Sequence, residues 1–210
     1  DLFNIIDPYM FRADYEGKPK IVVHNGRDEF FMPDDTWYWW DDMTLPKWTL
    51  LVPNTEHAGV TGLGETLPAI STWIYATLML DVDKVIPKVN WTLNHETFSI
   101  KAQTNMLPIS AKVWYTESCR ECNQRRDFRA LNLDSPCASN VVLDGDKCYN
   151  LNSVWLYDNI SYVDVNGEGW YEWEYTITGK AKLGGAYRVF FMDFKFNVTD
   201  GFEEEQVGWP

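Results

Sequence analysis

Two short apolar runs constrain the first third of this chain more than any other feature. Lys20-Ile21-Val22-Val23-His24 follows Pro19 and stops at Asn25-Gly26, and Trp48-Thr49-Leu50-Leu51-Val52 stops at Pro53. Neither alternates apolar with polar residues, so each reads as a strand covered on both faces. Between them Asp34 follows Pro33 as a helix cap, which predicts a helix over Thr36 to Asp42 with acids at its start. A second helix is predicted beyond Thr66, with Pro68 in its first turn and Ile70, Trp73, Ile74, Thr77 and Leu78 as its core-facing stripe. Strand, helix, strand, helix is the order of an α/β layer with parallel strands. Parallel strands need neighbours and cover on both faces. Two of them cannot be a whole sheet, so residues 1–80 read as the closing part of a doubly wound one.

From about Asp81 the period changes to two. Phe98, Ile100 and Ala102 alternate with Ser99 and Lys101, and Ala111, Val113 and Tyr115 alternate with Lys112 and Trp114. Tyr171, Trp173, Tyr175 and Ile177 oppose Glu172, Glu174 and Thr176, and Phe190, Met192, Phe194 and Phe196 close the series. Half-buried strands of this kind predict an antiparallel β-sandwich over residues 81–210. The 11 Trp, 11 Tyr and 11 Phe supply core for it and argue against disorder. A formal charge of −13 argues against nucleic acid or an anionic membrane surface as partner. The apolar stretch without charges from Thr66 to Leu80 is shorter than the ~20 residues of a helical membrane span. Asp1 in place of an initiating Met reads as a processed or truncated start.

Three glycosylation sequons occur, at Asn90, Asn159 and Asn197, in a chain with four cysteines. Cys119, Cys122, Cys137 and Cys148 crowd one polar stretch. Cys137 and Cys148 are too far apart to complete a zinc site with the first pair, and no His lies near. Two disulfides of undetermined pairing and a secreted, extracellular setting follow as expectations, with no metal and no cofactor.

Chemistry concentrates at two turns. Asn25-Gly26-Arg27-Asp28-Glu29-Phe30 sets an acid past the end of the first strand, and Pro53-Asn54-Thr55-Glu56-His57-Ala58-Gly59 sets a His past the end of the next. Strand ends of this kind are where open α/β sheets gather catalytic groups. A carboxylate beside an imidazole fixes its tautomer and stabilises its protonated form. Asp28 and His57 are therefore the candidate catalytic acid and base. Glu29 points elsewhere along an extended segment, Asp34 and Asp35 read as helix-start residues, and His24 and His95 have no recognisable acid. Acid before His after successive strands is the order of an α/β-hydrolase, but no Gly-x-Ser-x-Gly elbow occurs, and the serines lie downstream of His57. Arg125-Arg126-Asp127-Phe128-Arg129 stands out as a basic cluster, expected to pair with carboxylates across the two parts of the chain.

The run DPYMF, KPKIVVHNGRDEFFMPDDTWYWWDDM and PKWTLLVPNTEHAG resembles the PhoPQ-activated pathogenicity-related family, which includes proteins of the autocrine proliferation repressor type. PISAKVWYTES, RRDFR and GGAYRVFFMDFKF resemble its C-terminal region, so the likeness extends from about Asp7 to Phe196. The resemblance implies an α/β-hydrolase-like domain followed by a β-sandwich, with Asp28 and His57 at the acid and His positions. The expected function is that of the C-terminal part of a secreted Ser-dependent hydrolase of the esterase or peptidase class. Its nucleophile would come from an N-terminal chain or segment of the same precursor. The alternative is a non-catalytic extracellular signalling or structural glycoprotein on the same scaffold. A second copy of the chain or another extracellular protein are the further partners this reading admits.

Overall fold

The structure is a computed structural model that describes residues 2–118, 126–132, 148–149, 153–178, 187–198 and 207–209. A helical turn, α1 (Phe3–Ile6), and a 3-10 helix over Pro8–Tyr15 lead into β1 (Lys20–Asn25). Asp7 caps the 3-10 helix by accepting from the Tyr9 amide at 2.9 Å. β1 pairs in parallel with β2 (Lys47–Val52), in a register that sets Val23 opposite Leu50 and Asn25 opposite Val52.

The long helix α2 (Leu63–Met79) covers one face of this pair. Leu50, Val52 and Ala69 form its buried centre, with Ile21 and Val23 packed against it and Trp48 edge-on to Trp73. The other face is closed by the chain between the strands, where Trp39 stacks on His24 and Lys47 lies over the Trp40 ring. Two expectations are corrected here. The helix after Pro33 is only a 3-10 turn, Asp35–Tyr38, and Asp34 makes no capping bond but pairs with Arg126. The chain leaves the turn at Trp39, which stacks on His24, and Trp40 lies under Lys47.

The second correction concerns α2. It starts one turn early, at Leu63, so Pro68 lies inside it, and the residues it buries are Ala69, Thr72 and Ala76. Ile74 and Leu78 face outward. Small side chains let the helix sit close to the sheet, and burial follows that approach rather than the size of the apolar residue.

After α3 (Val82–Val85) the described elements are strands: β3 (Val89–Asn94), β4 (Ser99–Thr104), β5 (Ser110–Glu117), β6 (Leu131–Asn132), β7 (Cys148–Tyr149), β8 (Leu156–Asn159), β9 (Asp164–Val165), β10 (Tyr171–Thr176), β11 (Arg188–Val198) and β12 (Val207–Trp209). β6 and β7 pair as a two-stranded ribbon. The others form two antiparallel sheets, ordered β3-β4-β10-β9 and β12-β11-β5-β8. Ala102 and Trp173 of the first sheet meet Ala111, Phe194 and Phe196 of the second in one buried cluster, the face-to-face packing of a sandwich. The period-two pattern holds in β5, where Ala111, Val113 and Tyr115 are buried. It fails at Phe98, which lies in the β3–β4 turn with φ 52° and is exposed, while Ser99 is buried. A buried ion pair, Arg188 to Glu117 at 2.9 Å, ties β11 to β5.

The fold is therefore a small parallel α/β layer joined to antiparallel sheets, most of it strand. Among the described residues the parallel sheet is the two-stranded pair β1-β2, and a doubly wound sheet is not seen.

Candidate functional site

The turn after β1 is shaped by short-range hydrogen bonding. Asp28 is 6% exposed, and its Oδ1 accepts from the backbone amides of Phe30 at 2.7 Å and Phe31 at 3.0 Å. This Asx-type turn is what an aspartate past a strand end readily forms. It also aims the second oxygen, Oδ2, which lies 2.8 Å from Nδ1 of His57. A carboxylate accepting there selects the imidazole tautomer that carries its proton on Nδ1 and leaves Nε2 to act as base.

The turn after β2 delivers His57 through a different device. Asn54 takes the left-handed conformation, φ 57°, and reverses the chain after Pro53. The Glu56 carboxylate then accepts from the amides of Val60, at 2.7 Å, and Thr61. It also accepts from the Thr61 hydroxyl, which lowers its proton affinity most. The two turns are laced together at main-chain level. Gly26 and Arg27 donate to the carbonyls of Val52 and Thr55, at 2.8 and 2.9 Å, and the Asn25 side chain donates to the His57 carbonyl.

The imidazole is held but not sealed. Its side chain is 45% exposed, with Phe30 edge-on at 4.8 Å and Phe31 tilted at 5.6 Å, and both phenyl rings face outward. Glu29 does act at this site, contrary to the expectation that it points elsewhere: its Oε2 accepts the His57 backbone N–H at 2.8 Å. The two consecutive acids therefore grip the same residue, one at the ring and one at the main chain. Two rings walling the imidazole, and Glu29 at its main chain, are features the sequence reading missed. The Glu29 bond spans 28 positions and carries no local signal.

The remaining sequence candidates lie elsewhere. Asp34 is paired with Arg126, and Asp35 sits nearby with its carboxyl pushed up, first of all by burial. Arg126 so bridges the acidic segment to the chain beyond β5, and Ala130 of the same segment donates to the Asp28 carbonyl at 3.3 Å. Arg129 pairs locally with Asp127 at 2.6 Å. His24 is in β1, and burial pushes its imidazole below the ordinary value. His95 is exposed in the β3–β4 turn. Asn90 and Asn159 are exposed on strands, and Asn197 is half-buried in β11. Cys119, Cys122 and Cys137 lie outside the described residues, and Cys148 is described only as backbone of β7. Among the described residues no group of three His, Cys, Asp or Glu could hold a metal ion. No helix described is long and apolar enough to cross a membrane.

Comparison with known proteins matches residues 1–129 to the family model described as PhoPQ-activated pathogenicity-related protein. Autocrine proliferation repressor protein A of Dictyostelium discoideum is 25% identical over 205 residues, covering 93% of this chain and 37% of that protein. The chain thus spans well under half the length of this curated relative. No solved structure matches it.

Proposed function

Because the chain belongs to the PhoPQ-activated pathogenicity-related protein family, we propose that it is the C-terminal part of a secreted serine hydrolase of the esterase or peptidase class. In this reading residues 1–80 close an α/β-hydrolase-like domain and residues 81–210 form its sandwich. Asp28 and His57 are two members of a triad whose serine comes from a preceding segment of the same precursor. The observation that carries the reading is the 2.8 Å contact between Asp28 Oδ2 and His57 Nδ1 at the ends of adjacent parallel strands.

The chemistry follows from that contact. The serine hydroxyl attacks the substrate carbonyl as Nε2 of His57 takes its proton. The imidazolium that forms is stabilised by the Asp28 carboxylate, which two backbone amides hold in place against the ring. Nε2 then returns the proton to the leaving group, and water repeats the cycle on the acyl-enzyme. Phe30 and Phe31 would wall the ring from bulk water once the upstream segment is in place. Secretion, two disulfides among the four cysteines, and glycans at Asn90, Asn159 and Asn197 belong to the same proposal. A fluorophosphonate probe on the full-length protein tests it. Labelling that disappears in H57A and D28A supports the hydrolase, and absence of labelling in the unaltered protein sinks it.

A second reading is a non-catalytic extracellular signalling protein that keeps the scaffold. It is favoured by the name of the Dictyostelium relative, an autocrine proliferation repressor. A serine in an elbow upstream supports the enzyme, and another residue there supports the signal.

A further inference from the structure

Trp155 lies in the sandwich half of the chain and yet touches both turns of the site. It precedes β8 and is 2% exposed. Its ring packs edge-on against Phe191 of β11 at 5.3 Å, and the preceding carbonyl, of Val154, accepts from the Thr116 hydroxyl of β5 at 3.1 Å. The residue is thus fixed to the second antiparallel sheet.

From that anchor it makes three hydrogen bonds outward. Its indole Nε1 donates to the Gly26 carbonyl at 2.6 Å, two residues before Asp28. Its backbone N–H donates to Asn54 Oδ1 at 2.8 Å, and its carbonyl accepts from Asn54 Nδ2 at 3.0 Å, three residues before His57. The side chain of Asn54 therefore reads the main chain of Trp155 as a paired strand would, at both donor and acceptor. Gly26 makes room for the indole, since a Cβ there would stand 2.8 Å from Nε1. One residue bonds the acid turn with its side chain and the His turn with its main chain.

We propose that Trp155 is a positioning residue that holds Asp28 and His57 at bonding distance, so that the geometry of the pair is set from the sandwich. The inference rests on the hydrolase reading for its catalytic meaning and on the three bonds for its physical content. A merely structural Trp155 would affect stability. A positioning Trp155 also decides where the imidazole proton sits, because the Nδ1–H tautomer is selected only while the Asp28 carboxylate stays within reach.

The test is imidazole 1H–15N correlation on the 15N-labelled chain, which has three histidines, with the His57 signals assigned by their loss in H57A. The unaltered protein should show neutral His57 as the Nδ1–H tautomer, and D28N supplies the reference for its loss. W155F keeps an aromatic ring but cannot donate to Gly26. N54G keeps the left-handed backbone and removes both amide bonds to Trp155. Both should lose the Nδ1–H signature, wholly or in large part. V113A, which loosens the sandwich core away from both turns, should retain it at a comparable loss of stability. In the full-length enzyme N54G should lower kcat with KM little moved, on the order of 100-fold for a misplacement of about 1 Å. If W155F does not fold, N54G carries the test alone. The proposal is overturned if folded N54G keeps the signature, if V113A loses it equally, or if the unaltered protein lacks it. Failure of fluorophosphonate labelling with the signature intact would remove the hydrolase reading and leave the positioning role standing.

Discussion

Gly26→Ala is the sharpest probe of how the two halves meet. The new Cβ would lie 2.8 Å from Trp155 Nε1, 3.1 Å from Pro53 Cα and 3.1 Å from the Val52 carbonyl oxygen. Two of these neighbours are backbone of the β2 turn and cannot swing aside. Overpacking of this kind costs about 1–3 kcal/mol. The indole is the more movable partner, and moving it breaks the 2.6 Å bond to the Gly26 carbonyl. A buried N–H that loses its acceptor costs another ~1–3 kcal/mol. Since the neighbours share the displacement, a total of about 2–4 kcal/mol is expected, a fall in Tm of roughly 5–15 °C for a chain of this size. Gly26 does not occupy the left-handed region, so backbone strain adds nothing. Urea unfolding followed by Trp fluorescence gives the single-variant values, and a double-mutant cycle with W155F gives the coupling. Phe lacks the pyrrole edge that the methyl group strikes, so the double variant should be about 1–2 kcal/mol less destabilised than the sum of the singles. Additivity within ~0.5 kcal/mol, or a G26A protein as stable as the parent, would refute the idea that the Gly26–Trp155 contact joins the two halves.

Asp28→Asn and Asp28→Ala should separate chemistry from stability. Asn can still accept from the Phe30 and Phe31 amides and should fold, but it presents an amide N–H to His57 and favours the wrong tautomer, which under the hydrolase reading costs on the order of 10⁴ in kcat by analogy with the serine-protease triad. Ala also strips both amides of their acceptor and should lose ~1–3 kcal/mol in denaturant titration. His24, held below its ordinary value by burial, favours the neutral form in the folded state. Its stabilisation is intact above about pH 6.5 and is lost as pH falls below that, where the unfolded chain takes up the proton first, with a slope of at most ~1.4 kcal/mol per pH unit. Urea midpoints measured from pH 7.5 down to 5.5 should show the slope, and H24F should flatten it. The two arginine pairs should differ in kind. R126A loses a solvent-screened partner of Asp34 and should cost less than ~1 kcal/mol, whereas R188M withdraws the guanidinium from fully buried Glu117 and should cost about 3–5 kcal/mol in the same assay.

How far the sequence could be read depended on the range of the interactions involved. β1 and β2 follow from unbroken apolar runs. That an acid at 28 could reach a His at 57 follows from turns at the same end of adjacent parallel strands. The grip of Asp28 on its own turn is local and equally readable. Glu29 on the His57 amide is not, nor is Trp155 on Gly26, because these bonds join positions 28 and 129 apart in the chain. Asp34 shows the opposite failure. Its local signal, an acid after Pro33, was that of a cap, and the long-range partner Arg126 took it instead. In α2 the periodicity of the large side chains points to Ile70, Trp73, Ile74, Thr77 and Leu78, while the sheet buries Ala69, Thr72 and Ala76.

The outer face of α2 bears on the proposed precursor. Leu67, Ile74 and Leu78 on α2 and Phe30 and Phe31 beside His57 are all between 44% and 76% exposed. A helix apolar on its outer face as well as its inner one is the pattern of a helix covered on both sides. Complete burial of an aliphatic or aromatic side chain contributes about 1.5–3 kcal/mol. Five such residues, each still largely in water, withhold on the order of 5–10 kcal/mol, as much as the net stability of a typical domain. A parallel pair of strands with one long helix therefore gains its largest remaining stabilisation from whatever covers those residues. Phe30 and Phe31 contact the His57 ring, so under the hydrolase reading part of that cover would arrive at the imidazole itself. A precursor segment that docks there would complete the core and bring its own side chains within reach of Nε2 in the same step. Under the hydrolase reading, the serine and the missing hydrophobic cover belong to one piece of chain.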